Sequence, residues 1–420
     1  MVQLGMWRRA AVVAALSLAA FVFNTTESLP IGLLGLVASD FNVSVSSVGY
    51  LVTGYGLAVA VMSVPLAQLT RRIPRRRLLS VVLAVFVLAT WVSVATSSYW
   101  ILLASRVCIA LAQAVFWAVM MPVAVGLFPQ RVRGRVVVVT AVGGSLATVL
   151  GVPTGTWLGQ RTDWQTPFLV LSGLGLLSLV TIALLLPTSR PEEGHAAYAS
   201  HPDARRFALI LGSTALSVTG AFAAFTYVTE FLTKDAGFST DTVSVLLMVF
   251  GVAGVAGVMG LGALVDRMPA VGVALPVALQ TVALTSMYQF SSTQAVVVAM
   301  MALFGLSAAP VFTATQSRIL IVAPGRTEIG LALNSAAYNL GIAVGAFVGG
   351  LVLPTLGSDG LFLLGGVLNL AAFVVLMSER LLPERSATES PRSPAQPATD
   401  VLSGWAGADS TMDERREPKR

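Results

Sequence analysis

Residues 10–37 read AAVVAALSLAAFVFNTTESLPIGLLGLV and hold one charged side chain, Glu27. A transmembrane helix needs about 20 mostly apolar residues, and this run exceeds that length. Lipid satisfies neither a backbone polar group nor a charge, so a lone carboxyl kept at such a depth needs a partner and a task. Trp7-Arg8-Arg9 before Ala10–Phe23 is similar to the start of a signal peptide. The apolar run resumes at Ile31–Ala38, however, and no small-x-small cleavage site follows Phe23. The expectation is a retained first span.

The same pattern recurs along all 420 residues, with approximate spans at 10–37, 45–69, 77–96, 99–123, 136–159 and 166–187. A second set follows at 207–231, 240–264, 270–290, 294–316, 330–353 and 360–382. The fold class expected is therefore all-α integral membrane, with about twelve transmembrane helices in two six-helix pseudo-repeats. Only 11% of residues are charged, against about 25% in a soluble domain, and mean hydropathy is +0.81. The net charge of +6 does not indicate nucleic acid, because the arginines sit in short loops between apolar runs. Cys108 is the sole cysteine and both histidines, His195 and His201, lie in one polar linker. That excludes an intrachain disulfide and a cysteine metal cluster.

The junctions separate by charge. One set carries Arg8 and Arg9; Arg71, Arg72, Arg75, Arg76 and Arg77; and Arg131, Arg133 and Arg135. It continues with Arg190, Arg205, Arg206, Arg267, Arg318, Arg326, Arg380 and Arg385, whereas the other set holds only Arg161 and Lys234. The positive-inside rule makes the first set cytoplasmic, with both termini inside and the chain multi-pass in the inner (plasma) membrane. Domain boundaries follow: a six-helix half over 1–187, a cytoplasmic linker over 188–206, a second half over 207–383 and a disordered cytoplasmic tail over 384–420.

The halves echo each other. Leu69-Thr70-Arg71-Arg72-Ile73-Pro74 aligns with Leu264-Val265-Asp266-Arg267-Met268-Pro269 at an offset of 195 (264 − 69), which also carries Gly56 onto Gly251. Gly151, Gly155 and Gly159 echo Gly341, Gly345 and Gly349 at an offset of 190 (341 − 151). Parallel repeats place a substrate cavity between the halves near the bilayer midplane.

Four stretches carry a family resemblance. They are Thr25-Thr26-Glu27-Ser28-Leu29-Pro30 with Ala38-Ser39-Asp40; the loop Leu69–Arg77; Arg106 followed by Phe116-Trp117-Ala118; and Leu150-Gly151-Val152-Pro153-Thr154-Gly155. Over about residues 8–383 the chain resembles a major facilitator superfamily transporter of the twelve-span drug:proton antiporter branch, nearest to bacterial chloramphenicol-type and sugar exporters. The resemblance implies a functional monomer that exchanges protons for a small molecule, driven by the proton gradient without a cofactor. It makes Gly151, Pro153 and Gly155 the antiporter motif, and Arg72, Arg75, Asp266 and Arg267 the cytoplasmic loop motif. The chain departs from the family pattern where Ala67 and Pro74 replace loop glycines and Arg71 replaces an aspartate, so a first-half Asp–Arg latch is not expected.

Glu27 lies 17 residues into its span, roughly 25 Å from the cytoplasmic surface at about 1.5 Å per residue. Arg106, seven residues into the inward-running span four, reaches a similar depth. The expectation is a proton-coupling pair, Glu27 carrying the proton and Arg106 tuning it; the alternative is a static ion pair, or an arginine that snorkels. Glu230 is read as an interfacial carboxylate, and Asp40 and Asp235 as loop residues. Arg106, Gln113 and Trp117 share a helical face, as do Asn334, Tyr338 and Gly341. With Asn24, Phe225 and Tyr227 they form a candidate cavity for lipophilic molecules bearing a few polar groups. The alternative is that the amides tie helices together and the aromatics pack.

No Gly-x-x-x-x-Gly-Lys-[Ser/Thr] element, Ser/His/Asp set or His-Glu-x-x-His motif is present, so neither an ATP-driven pump nor an enzyme is expected. The function expected is proton-coupled efflux of a small amphiphile, a drug such as a phenicol or a sugar or metabolite. The rivals are an uptake symporter of the same fold and a non-transporting membrane receptor.

Overall fold

A computed structural model describes residues 6–129, 132–187, 202–324 and 327–379. Eleven helices are long and apolar enough to cross a membrane, and the last of them covers 50 residues. That last run, Thr327–Ser378, is interrupted at Gly357, where φ is 74° and only glycine sits without strain. It therefore makes two crossings, and the described chain has twelve spans. They are α1 (Met6–Gly32), α2 (Val45–Thr70), α3 (Arg75–Ala95), α4 (Tyr99–Gly126), α5 (Arg133–Leu146, continued through Val152–Arg161) and α6 (Gln165–Leu185). The others are α7 (Ala204–Phe225), α8 (Thr240–Arg267), α9 (Pro269–Gln289), α10 (Gln294–Val322), α11 (327–356) and α12 (358–378). Span one ends sooner than residue 37, because Leu33 leaves the helical path before a short helix, Leu34–Asp40. Of the linker, residues 188–201 lie outside the description, and α7 starts at Ala204 rather than 207. Asp203 caps it, accepting from the amides of Arg205 at 2.9 Å and Arg206 at 3.1 Å. The tail expected over 384–420 also lies outside the described residues.

Glycines set how the helices pair. A Cβ on Gly143 would sit 2.2 Å from the Ser17 carbonyl, and one on Gly151, Gly155 or Gly159 would press on the side chain of Thr25, Leu29 or Leu33. Each pair is 126 residues apart (143 − 17), so α5 runs parallel to α1 with an unbroken register. In the second half, Gly341, Gly345 and Gly349 meet the carbonyls of Ala215, Thr219 and Ala223, again 126 apart (341 − 215). The echo at offset 190 is thus one packing motif built twice. Small residues let backbones approach, which is the available source of affinity where lipid removes the hydrophobic drive. Running the other way, Asn369 of α12 bonds Ser217 of α7 and Gly365 meets Gly220, which confirms the reversal at Gly357.

The glycines related by the 195-residue offset both lie where helices of different halves meet. A Cβ on Gly56 of α2 would approach the Asn339 carbonyl of α11 to 3.0 Å, and one on Gly251 of α8 would approach the Thr148 carbonyl of α5 to 2.3 Å. Towards the Asp40 end the halves touch again. Tyr227 packs against Gly49 and Gly350, Thr229 Oγ1 donates to the Ile31 carbonyl at 2.8 Å, and Tyr50 faces Phe347. Asp40 and Asp235 are more than loop residues. Asp40 accepts from Trp164 Nε1 at 2.7 Å at the head of α6, and Asp235 accepts from Ser358 at the head of α12. Around the bundle, exposed Trp91, Trp100 and Trp157 suit the membrane interface.

Valine at Gly143 or at Gly345 is expected to lower the detergent melting temperature, each overpacking step costing about 1–3 kcal/mol. Gly173, with open space around it, is the contrast: Gly173→Ala should leave melting unchanged or higher. Equal losses at all three positions would refute the register.

Candidate functional site

The site begins with a proline. Pro30 lies inside α1 and has no N–H, so the Thr26 carbonyl four residues earlier loses its helical donor. No water replaces that donor in lipid. Arg106 of α4 does: Nη1 donates to the Thr26 carbonyl at 2.7 Å and Nη2 to the Glu27 carbonyl at 3.1 Å. The guanidinium is 2% exposed and lies 4.8 Å from the centre of the Tyr55 ring and 6.0 Å from that of Phe168. Aromatic faces compensate part of the desolvation of a buried cation.

This differs from a simple carboxylate–guanidinium pair. The expected partners do meet, but the arginine spends two donors on main-chain oxygens. The Glu27 carboxyl instead accepts from Gln113 Nε2 at 2.6 Å. Gln113 is one of the residues expected on the Arg106 face, and its Oε1 in turn accepts from the Tyr55 hydroxyl at 2.5 Å. Arg106 Nε has no partner among the described residues. Glu27, Ser28, Tyr55, Gly56, Phe222 and Ile342 border a cavity of about 20 Å³ between α1 and α2 on one side and α7 and α11 on the other. That volume holds about one water and no larger molecule.

Other expected residues are placed as follows. Asn24 Nδ2 donates to the Gly144 carbonyl of α5 at 3.3 Å, and half-exposed Trp117 lies against the same glycine, so these two share a face on the other side of Glu27 from Asp40. Tyr338 is half-buried and edge-on to Phe312, at 4.8 Å between ring centres. Phe225 is buried in an aromatic cluster, stacked 4.5 Å from Phe250, while its neighbour Phe222 borders the cavity. Tyr227 is fully buried and donates to the Ala346 carbonyl at 2.9 Å. Asn334 is fully buried too, linking Thr214 of α7 to Thr315 of α10 at 3.4 and 3.2 Å. Asn334 and Phe225 are thus both engaged in contacts between helices, and neither borders the small cavity. Glu230 pairs with Lys234 at 2.7 Å, away from the cavity.

Gly151 closes a π-helical turn, Ala147–Gly151, inside α5, and buried Pro153 and Gly155 follow it. The stretch expected to be the antiporter motif is therefore the one that packs on Thr25 and Leu29 beside Glu27. Arg72 is exposed and Arg75 half-buried at the head of α3, whereas the side chains of Asp266 and Arg267 lie outside the description. Among the described residues no cluster of His, Cys, Asp and Glu could hold a metal ion. Tyr55 and Phe222 were not singled out in the sequence. A tyrosine in mid-span was a usable signal, since a buried phenol needs a polar partner.

Twelve helices with a charged, hydrogen-bonded cluster beside a cavity between two glycine-packed halves define a multi-pass membrane transporter. The chain matches the Major Facilitator Superfamily model over residues 16–326 and 209–408, and it belongs to that family. It is 33% identical over 359 residues to a probable sugar efflux transporter of Helicobacter acinonychis (strain Sheeba), covering 85% of this chain and 92% of that one. A probable sugar efflux transporter of Helicobacter pylori matches at the same identity and coverage. Among solved structures, the nucleoside transporter NupG superposes with a TM-score of 0.70 at 11% identity, over 87% of this chain and 99% of that one. The human organic anion transporter TETRAN superposes at 0.64 and 17% identity, over 88% and 99%. These two establish the fold. The family is one of transporters, not enzymes.

If Arg106 replaces the donor that Pro30 lacks, the two residues must be energetically coupled. Arg106→Met should destabilise the protein, and adding Pro30→Ala, which restores an amide opposite Thr26, should recover part of the loss, with a coupling of roughly 1–3 kcal/mol. Additive losses in a thermal-melting cycle would contradict the assignment.

Proposed function

We propose that this chain exports a small neutral molecule rich in hydroxyl groups, a sugar or sugar-like metabolite, in exchange for protons by alternating access. The observation that carries the reading is the partly buried Glu27 carboxyl, held by a neutral amide and bordering the cavity between the halves. A carboxyl bonded this way can gain and lose a proton without breaking an ion pair. The sugar-efflux relatives, at 33% identity over most of both chains, support the substrate class. Neutral Tyr55, which borders the cavity, and the Gln113 amide bonded to it suit hydroxyl groups better than a dianion.

In this reading the protein acts as a monomer in the plasma membrane with both termini cytoplasmic. The contacts of Tyr227 with Gly49 and of Thr229 with Ile31 then lie on the outer side, so the arrangement described is closed outward. Export requires those contacts to part. Contacts made through glycine and one hydroxyl separate without stranding a buried charge.

In a pump-deficient bacterium, the wild type is expected to lower accumulation of labelled sugars, or to protect against toxic sugar analogues, and Glu27→Gln is not, at equal membrane expression. Phenicols run in the same panel test the drug alternative. Equal efflux by the two proteins would place proton coupling elsewhere. A second expectation concerns the outer contact. Gly49→Val puts a branched side chain where the Tyr227 hydroxyl now lies 2.0 Å from a bare Cβ position. Cysteines introduced below this contact should label faster from outside in that variant, and unchanged labelling would argue against the closure.

A further inference from the structure

We propose that Tyr55 and Gln113 form a hydrogen-bond polarity relay, through which the protonation state of Glu27 decides whether the cavity accepts or donates a hydrogen bond. The proposal rests on the reading of Glu27 as the proton carrier and goes beyond it by assigning how substrate and proton exclude each other. An ionised carboxylate only accepts, so Gln113 must turn its NH₂ towards Glu27, as observed at 2.6 Å. Its Oε1 then faces Tyr55, and the phenol must donate to it, as observed at 2.5 Å. With its proton committed, Tyr55 Oη offers the cavity a lone pair. A substrate hydroxyl can donate there.

Protonation of Glu27 reverses the chain. The acid O–H becomes a donor, so Gln113 rotates its amide to present Oε1 to it. Its NH₂ then bonds Tyr55 Oη, and the phenol proton is freed towards the cavity. No proton passes along the relay; one arrives at Glu27 and two side chains reorient. The accepting lone pair is now taken, and a hydroxyl donor loses its partner. A substrate hydroxyl whose own oxygen is already engaged as an acceptor, and which can only donate towards Tyr55, therefore binds while Glu27 is ionised and leaves when a proton arrives, the alternation that exchange demands. Both relay residues are nearly fully buried, Tyr55 at 1% and Gln113 at 3% exposure, so water competes poorly for either bond. The charged and titratable groups facing the Glu27 carboxyl are Arg106 from α4, Tyr55 from α2 and Tyr338 from α11. Arg106 is tied to the backbone of α1, and Tyr338 is bonded to neither relay residue.

The test is the pH dependence of sugar binding to the purified full-length protein, with labelled lactose and arabinose as probes between about pH 5 and pH 8. One proton released per sugar bound makes wild-type affinity fall roughly tenfold per pH unit below the transition. Tyr55→Phe, which removes only the hydroxyl, is expected to bind more weakly and to lose that slope. Gln113→Met, similar in volume, should lose the slope as well. A merely structural role would weaken binding while leaving the slope intact, and that outcome in both variants overturns the relay. Glu27→Gln reports on the underlying reading separately: a slope that survives in it means the coupling proton sits elsewhere. Failure of the wild type to bind either sugar saturably would also overturn the assignment of a hydroxyl-donor site.

Discussion

A carbonyl without a donor is costly in hydrocarbon, and this fold is organised around one such group. Pro30 leaves the Thr26 oxygen free in the last two turns of α1, where lipid offers it no donor. The two Arg106 donors repair the helix and fix α4 against α1 at that depth. A planar fork satisfies two adjacent carbonyls at once, which a lysine ammonium does less well. Gln113, two turns along α4, is thereby placed on the Glu27 carboxyl. A structural role for Arg106 and an electrostatic one are not alternatives. Its hydrogen bonds are spent on the backbone while its charge remains close to the carboxyl, where a low-dielectric surrounding gives charge a long reach.

The glycine registers explain how such a site can be held in a bundle that also moves on the proposed alternating access. Within each half, the first and fifth helices lock by repeated glycine contacts at one constant offset, which resists sliding. The aspartates after α1 and α7 add a second tie at the Asp40 end, to the heads of α6 and α12. Between the halves the contacts are of another kind: single glycines, one threonine hydroxyl and facing aromatic rings. These part with little desolvated charge to strand, so the difference in bonding between and within halves favours motion of one half against the other.

The sequence disclosed what depends on one dimension. Apolar length and arginine placement give the spans, and a charge inside a span stands out because it is expensive. Glu27 and Arg106 were legible for that reason, and Gln113 because it lies seven residues from Arg106 on the same face. Hydrogen-bond direction was not legible. Nothing in the order of residues says that Arg106 would choose carbonyls over the carboxylate, although Pro30 three residues after Glu27 held the clue. Asn334 and Phe225 read as cavity residues because polarity and aromaticity were the available signals. Their neighbours, Thr214 and Thr315 for the amide and Phe250 for the ring, come from distant spans and turn them into ties. Tyr55 was overlooked because its partner belongs to another helix.

The two halves share a scaffold but not a chemistry. In the second half the fully buried polar side chains of Thr214–Asn334–Thr315 and Ser217–Asn369 are neutral and tie helices together. In the first half a carboxyl and a guanidinium lie within one cluster. On the proposed exchange, a proton bound at Glu27 is felt directly by one half only, and the other senses it through what they share. The shared surface at that depth is the small cavity, with Glu27 and Tyr55 on one wall and Phe222 and Ile342 on the other. At about 20 Å³ it is too small for a sugar, so substrate can enter only when those walls separate. Tyr55, bonded through Gln113 to the carboxyl, sits on the wall that separates in the proposed motion, so the proposed exchange joins protonation and motion at one place.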